Sequence, residues 1–185
     1  MKKYLIQPGK TLRIAVSGLS GCGNTTVSTL LAASLGISCI NYTFRNLAQE
    51  LDMPLKKLIE AAKTDFQYDR LIDARQVEQA QRDSCVLGSR LAVWMLKEAD
   101  LKVYLYASAE ARARRILQRE GGSLESIKAF TAMRDNDDTR RYKVLYNIDN
   151  TDCSIADMCI DTEQYAPEAI VTLILNELVK RSLIA

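Results

Sequence analysis

The chain contains no histidine. That removes every mechanism that needs an imidazole, including Ser-His-Asp and Cys-His nucleophiles and histidine-ligated zinc. Five cysteines (Cys22, Cys39, Cys85, Cys153, Cys159) include no Cys-x-x-Cys pair, and their number is odd. Neither a disulfide framework nor a thiolate zinc cage is expected, and a reducing compartment suits such a sequence. No run approaches the roughly eighteen apolar residues of a membrane span. The N-terminus has two lysines but no long apolar run or small-residue cleavage site, so it does not read as a signal peptide. Net charge is only +2, which predicts no bulk attraction to nucleic acid or to an anionic membrane. These absences predict a soluble, cytoplasmic protein.

What is present is ordinary for a globular chain. Its 185 residues suffice for one domain with a real core, and its 48% apolar and 26% charged residues fit that class. The charge is uneven: residues 108–147 hold nine Lys and Arg against six acids. Short apolar runs alternate with stretches of helical period. The predicted strands are 12–17, 37–41, 83–87, 101–106 and 156–160, several of them apolar almost throughout, as when both faces of a parallel sheet are covered. Helices are predicted over about 25–35, 43–51, 54–82 with a break, 89–98, 108–120, two pieces within 123–147, and 167–183. Such alternation predicts an α/β domain. Two connections are too long for simple crossovers and keep a helical pattern, which suggests mobile flaps over a site.

The stretch "GLSGCGNTT" (18–26) follows an apolar strand and opens a helix. Glycines there let backbone N–H groups converge, and a helix N-terminus adds partial positive charge, so the context is that of a phosphate-binding loop. Thr25 stands where such loops coordinate magnesium. The plainer alternative is a glycine-rich turn that binds nothing. Asn24 occupies the position that usually carries lysine, and loss of a cation there costs on the order of 10³-fold if nothing replaces it. Lys10 precedes the strand, at its far end, and cannot substitute. Cys22 lies near the helix N-terminus, which tends to lower a thiol pKa, although a small tolerated side chain is the simpler reading.

Replacement charge is available further along. Arg112, Arg115 and Arg119 are spaced to share one helical face, and Arg134, Arg140 and Arg141 follow. Arginine suits two-point clamping of phosphate, and a basic helical flap closing over the loop supplies movable charge while excluding water. A solvated surface paired with Glu120, Asp135, Asp137 and Asp138 is the competing explanation. In the other insertion, Arg45, Asp69, Asp73 and Arg75 are charges among apolar neighbours. They fit a second-substrate pocket or plain amphipathic helices, in which Arg70 and Asp73 would pair.

Taken in order, "IAVSGLSGCGNTTVSTLLAASLG" (14–36), "FRNLAQELDM" (44–53), "IDARQVEQA" (72–80), "VLGSRLAVWML" (86–96), "DLKVYLYASAEARARRILQREG" (100–121), "RYKVLYNID" (141–149) and "DMCIDT" (157–162) resemble the archaeal-type cytidylate kinases. These are a branch of the P-loop nucleoside monophosphate kinases, in which a small polar residue often replaces the lysine. The resemblance covers residue 12 to the end. It implies a three-layer P-loop NTPase fold with a five-stranded parallel sheet, acting as a monomer on small-molecule nucleotides. Its core would be 12–41, 83–120 and 150–185, with a monophosphate-binding insertion over 42–82 and a lid over 121–149.

The implied reaction is transfer of the ATP γ-phosphoryl group to CMP or dCMP, with Mg2+. By motif, Gly18, Leu19, Ser20, Gly21, Cys22, Gly23, Asn24, Thr25 and Thr26 would bind ATP, and Thr25 the metal. Arg45, Asp69, Arg75 and Arg90 would bind the acceptor, and Arg112, Arg115, Arg134 and Arg141 would be lid or transition-state residues. The family usually reads Glu-Gly-Arg-Leu-Ala-Gly-Trp where this chain reads Gly88-Ser89-Arg90-Leu91-Ala92-Val93-Trp94. An acid that could hold magnesium waters or orient the acceptor is thus missing. The alternative function is a nucleotide-binding regulator, or a weak kinase of altered acceptor specificity, on the same scaffold.

Overall fold

The structure, a computed structural model, describes residues 4–62 and 64–185. Five strands, β1 (Arg13–Ser17), β2 (Ser38–Ile40), β3 (Cys85–Gly88), β4 (Leu101–Tyr106) and β5 (Met158–Asp161), form one parallel sheet in the order β2-β3-β1-β4-β5. Alternation along each strand divides the core between two faces. Ile14, Val16, Val86, Leu101, Val103 and Leu105 pack beneath α1 (Asn24–Leu35) and α8 (Pro167–Lys180). Ala15, Cys85, Leu87 and Tyr104 face the other way, against α5 (Ala92–Met95). Both faces are covered, which explains why the strands read as unbroken apolar runs.

Three helices between β2 and β3 build a small core of their own: α2 (Phe44–Glu50), α3 (Leu55–Ala62) and α4 (Gln67–Arg82) close around Leu47, Leu58 and Ile72. The break predicted within 54–82 falls between α3 and α4. After β4 come α6 (Ala109–Glu120), started by the Ser108 side chain accepting from the Ala111 amide, and α7 (Leu124–Tyr146), started by Ser123 on Ser126.

Two predicted helices differ in extent. The segment predicted as two pieces within 123–147 forms one helix of 23 residues, Leu124–Tyr146. The acidic run 135–138 ends at Asp138, which is buried and paired with Arg90 and Arg141, so ion pairs hold the helix through its most polar turn. The segment predicted as helix over 89–98 shortens to the single turn of α5. Its Val93 amide donates to the buried Ser17 Oγ at 3.1 Å, tying the turn to the end of β1, and the chain must then enter β4.

No described helix is long and apolar enough to cross a membrane.

Candidate active site

The chain leaves β1 at the carboxyl edge of the sheet, beside β3, where strand order reverses. In open α/β sheets such a switch point leaves a crevice. Here the crevice is a cavity of about 620 Å³. Its floor is the loop 18–23 and the first turn of α1, with Gly18 to Thr26 all in the wall. Gly18 passes so close to the Leu105 carbonyl of β4 that any Cβ would strike it. Gly23 is the N-cap of α1 in a left-handed conformation (φ 97°), and no side chain caps that helix. First-turn amides have no intrahelical partner, so this end is a cluster of free donors reinforced by the helix dipole.

Three side chains fix the loop from outside. Arg112 Nη1 donates to Ser20 O at 2.9 Å and to Asp135 Oδ2 at 2.6 Å. Arg115 donates through Nη1 to Thr162 Oγ1 at 2.7 Å and to Gly21 O at 3.3 Å, and through Nη2 to Thr162 O at 2.6 Å. Asn24 Nδ2 donates to Gly18 O at 2.8 Å and joins the two ends of the loop. In a trans peptide the next N–H points opposite to the carbonyl, so each grip on an oxygen turns an amide away from its holder. Asn24 is thus a brace in place of a cation. Its own Oδ1 is buried without a partner. Cys22 is 2% exposed, and burial pushes its thiol up despite the nearby Arg112 charge, so it is a core side chain and not a reactive one.

The far wall comes from α4, which presents Asp69, Ile72, Asp73 and Gln76. Gln76 Nε2 donates to Tyr42 O at 2.8 Å, and Tyr146 Oη donates to Asp73 Oδ2 at 2.9 Å. Burial raises both carboxyls. That of Asp69 is also lowered by Arg141 and raised by Asp138, and that of Asp73 reaches about 6. Arg90 enters after β3, Arg115 and Arg119 from α6, and Arg134 and Tyr142 from α7.

Of the arginines singled out in the sequence, Arg90, Arg115, Arg119 and Arg134 therefore line the cavity. Arg112 lies behind the loop, and Arg141 behind the wall, bound to Asp138 at 2.7 Å and to Asp69 Oδ1 at 3.4 Å. Arg45 borders a separate shallow depression beside Met53 and Pro54. Arg75 turns outward to Glu50 at 2.8 Å and Glu78 at 3.2 Å. Asp73 meets Tyr146 rather than Arg70. Gln76, Tyr142 and Asn41 were not singled out. The i, i+4, i+7 spacing of Asp69, Asp73 and Gln76 was the available signal.

The sequence matches the cytidylate kinase-like family over residues 13–164. The chain belongs to that family. Cytidylate kinase 2 of Borreliella burgdorferi is 43% identical over 176 residues, covering 93% of this chain and 98% of that protein. Cytidylate kinase of Pyrococcus horikoshii is 38% identical over 169 residues, covering 90% and 88%. Among solved structures, an uncharacterized protein from Eubacterium ventriosum superposes with a TM-score of 0.68 at 16% identity, covering 90% of this chain and 98% of that one. Shikimate kinase from Bacteroides thetaiotaomicron gives a TM-score of 0.63 at 15% identity, covering 92% and 99%. At such identities the two structures establish the shared fold alone.

Gly88, where the resemblance led us to expect an acid, is closed to larger side chains in this chain. A Cβ there would lie 2.5 Å from Ser28 Oγ, a buried hydroxyl without a partner. The carboxylates facing the cavity come instead from α4.

Proposed function

We propose that the protein transfers the γ-phosphoryl group of ATP to CMP or dCMP, giving ADP and CDP or dCDP. The observation that carries this reading is the meeting, in one cavity of a cytidylate kinase-like chain, of an uncapped helix N-terminus with Arg90, Arg115 and Arg134. Phosphoryl transfer demands little covalent help, so positioning and charge stabilisation suffice, which suits a site without histidine. ATP would lie over the loop 18–26. Arg115, held against Gly21, would supply fixed positive charge at the cradle where lysine is absent. The acceptor would lie between Arg90 at its phosphate and the α4 wall, with α7 as the lid.

Magnesium fits the donors present. Thr25 Oγ1 faces the cavity and accepts from Asn41 Nδ2 at 3.2 Å, which orients the hydroxyl while leaving a lone pair. No cluster of three or more acidic or thiol side chains suited to a metal occurs among the described residues. Thr25 would therefore hold the ion together with nucleotide oxygens and water. When bound, it would screen charge on the phosphates.

Release of ADP, measured against CMP, dCMP, UMP, AMP and GMP, tests the proposal, with CMP and dCMP expected to be preferred. ATP binding without turnover on any acceptor would favour a regulator on a kinase scaffold. Replacing Asn24 by alanine removes the brace on Gly18 O and the unpaired Oδ1 together. The expected result is a KM for ATP raised about 10-fold, the worth of one hydrogen bond to a binding loop, with a smaller change in the KM for CMP.

A further inference from the structure

The acceptor end of the cavity gathers like charges. Arg134 is exposed as a residue, yet partial burial and then the neighbouring Arg90 charge lower its guanidinium. Two cations so placed favour an anion between them. The protein already supplies one. Asp138 lies four residues after Arg134 on α7, its side chain only 4% exposed. Its Oδ1 accepts from Arg141 Nη2 at 2.7 Å, and its Oδ2 lies 2.5 Å from Arg90 Nη1. The two contacts differ in kind. The first is an aligned hydrogen bond, whereas Oδ2 has no aligned donor and meets Arg90 as a bare ion pair.

The geometry points to Asp138 as a positioning residue that holds Arg90 in register until the acceptor's phosphate takes its place. Carboxylate and phosphate both accept from a guanidinium fork, so one can replace the other on Arg90. A buried carboxylate stripped of every partner would be costly. Asp138 avoids that state because Arg141 stays bound to Oδ1 throughout the exchange. The misaligned contact is the one surrendered. Asp138 thereby competes with phosphate for Arg90 while keeping the guanidinium aimed from α7, which couples the lid helix to occupancy of the acceptor pocket. The inference rests on the proposed transfer to a nucleoside monophosphate, but the exchange itself can be read with inorganic phosphate alone.

Asp138→Asn in the full chain keeps the shape and removes the charge. Calorimetric titration is expected to show inorganic phosphate and CMP bound about 10-fold more tightly, because the competing anion is gone. Turnover is expected to fall by about 10-fold or more, because the lid helix is no longer coupled to occupancy of the acceptor pocket. A lower KM together with a lower kcat is a split that simple loosening of the fold does not produce. Asp138→Glu should restore most of the turnover. Unchanged or weaker phosphate binding by a folded Asp138→Asn protein overturns the inference. If that variant does not fold, a crystal structure of the unaltered protein with CMP decides. Arg90 on the phosphate, with Asp138 still on Arg141, supports the exchange, and Arg90 still on Asp138 overturns it. Tighter phosphate binding by the variant, with no CMP turnover by the unaltered protein, would sink the transfer reading and leave the exchange standing.

Discussion

Replacing Arg90 by alanine is expected to lower kcat/KM for CMP by about 10³-fold, a loss of about 4 kcal/mol. Arg90 combines three properties that no other arginine among the described residues shares. It lines the cavity, its side chain is only 22% exposed, and a buried carboxylate fixes it at 2.5 Å. Despite burial, Asp138 and then Tyr142 hold the guanidinium above its usual range, so it is permanently charged where water is scarce. Cations on transferring phosphates are worth about this much in such settings. Arg90→Lys should recover little, since an ammonium cannot reproduce the fork that meets two oxygens at once. The KM for ATP should move less than about 3-fold, because the loop proposed to hold ATP is built from other residues, Gly18 to Thr26. Steady-state kinetics with each substrate varied in turn measures all three quantities. A loss under about 5-fold would place the reacting phosphate away from Arg90.

That expectation singles out one residue from a list that the sequence alone could not rank. The strand, loop and helix that form the proposed cradle were legible because their determinants are local and follow one another within a short stretch of chain. The strands were legible because burial on both faces leaves no polar alternation to misread. Arg75 was not, yet helical geometry constrains it. It lies six residues from Asp69, which sets the two side chains about 120° apart around the helix and off a common face. The structure gives the cavity to the acids and sends Arg75 outward to Glu50. Arg112 and Arg115 share a helical face, as their spacing indicated. A difference of one turn still separates a side chain gripping the loop from behind from one at its lip. The continuity of α7 was illegible for another reason: the partner that tames its acidic run, Arg90, lies 48 positions earlier in the chain.

Asp73→Asn is expected to stabilise the protein at pH 8 and to do nothing for it near pH 4. Asp73 is 9% exposed, and burial raises its carboxyl to about 6, while the Tyr146 hydrogen bond and Arg141 oppose that rise and Asp69 adds to it. The folded value lies above the ordinary 3.8, so the folded chain binds the proton more tightly than the unfolded one. The associated stability is therefore complete below about pH 4 and is lost as pH rises through about 6. Asparagine stays neutral throughout, and its Oδ1 can still accept from Tyr146 Oη. At pH 8 the gain should be on the order of 2–3 kcal/mol, which for a chain of this size raises Tm by several degrees. Thermal melts of both proteins across pH 4–8 measure it, and a constant difference over that range would refute a titrating Asp73. A carboxylate so costly to ionise, set in the cavity wall, is expected to serve the proposed reaction. The same variant should then lose at least about 10-fold in kcat/KM for CMP at pH 8. The unaltered enzyme should gain activity as pH rises through about 6, and the variant should lack that step. Greater stability at undiminished activity would leave Asp73 without a role in acceptor binding.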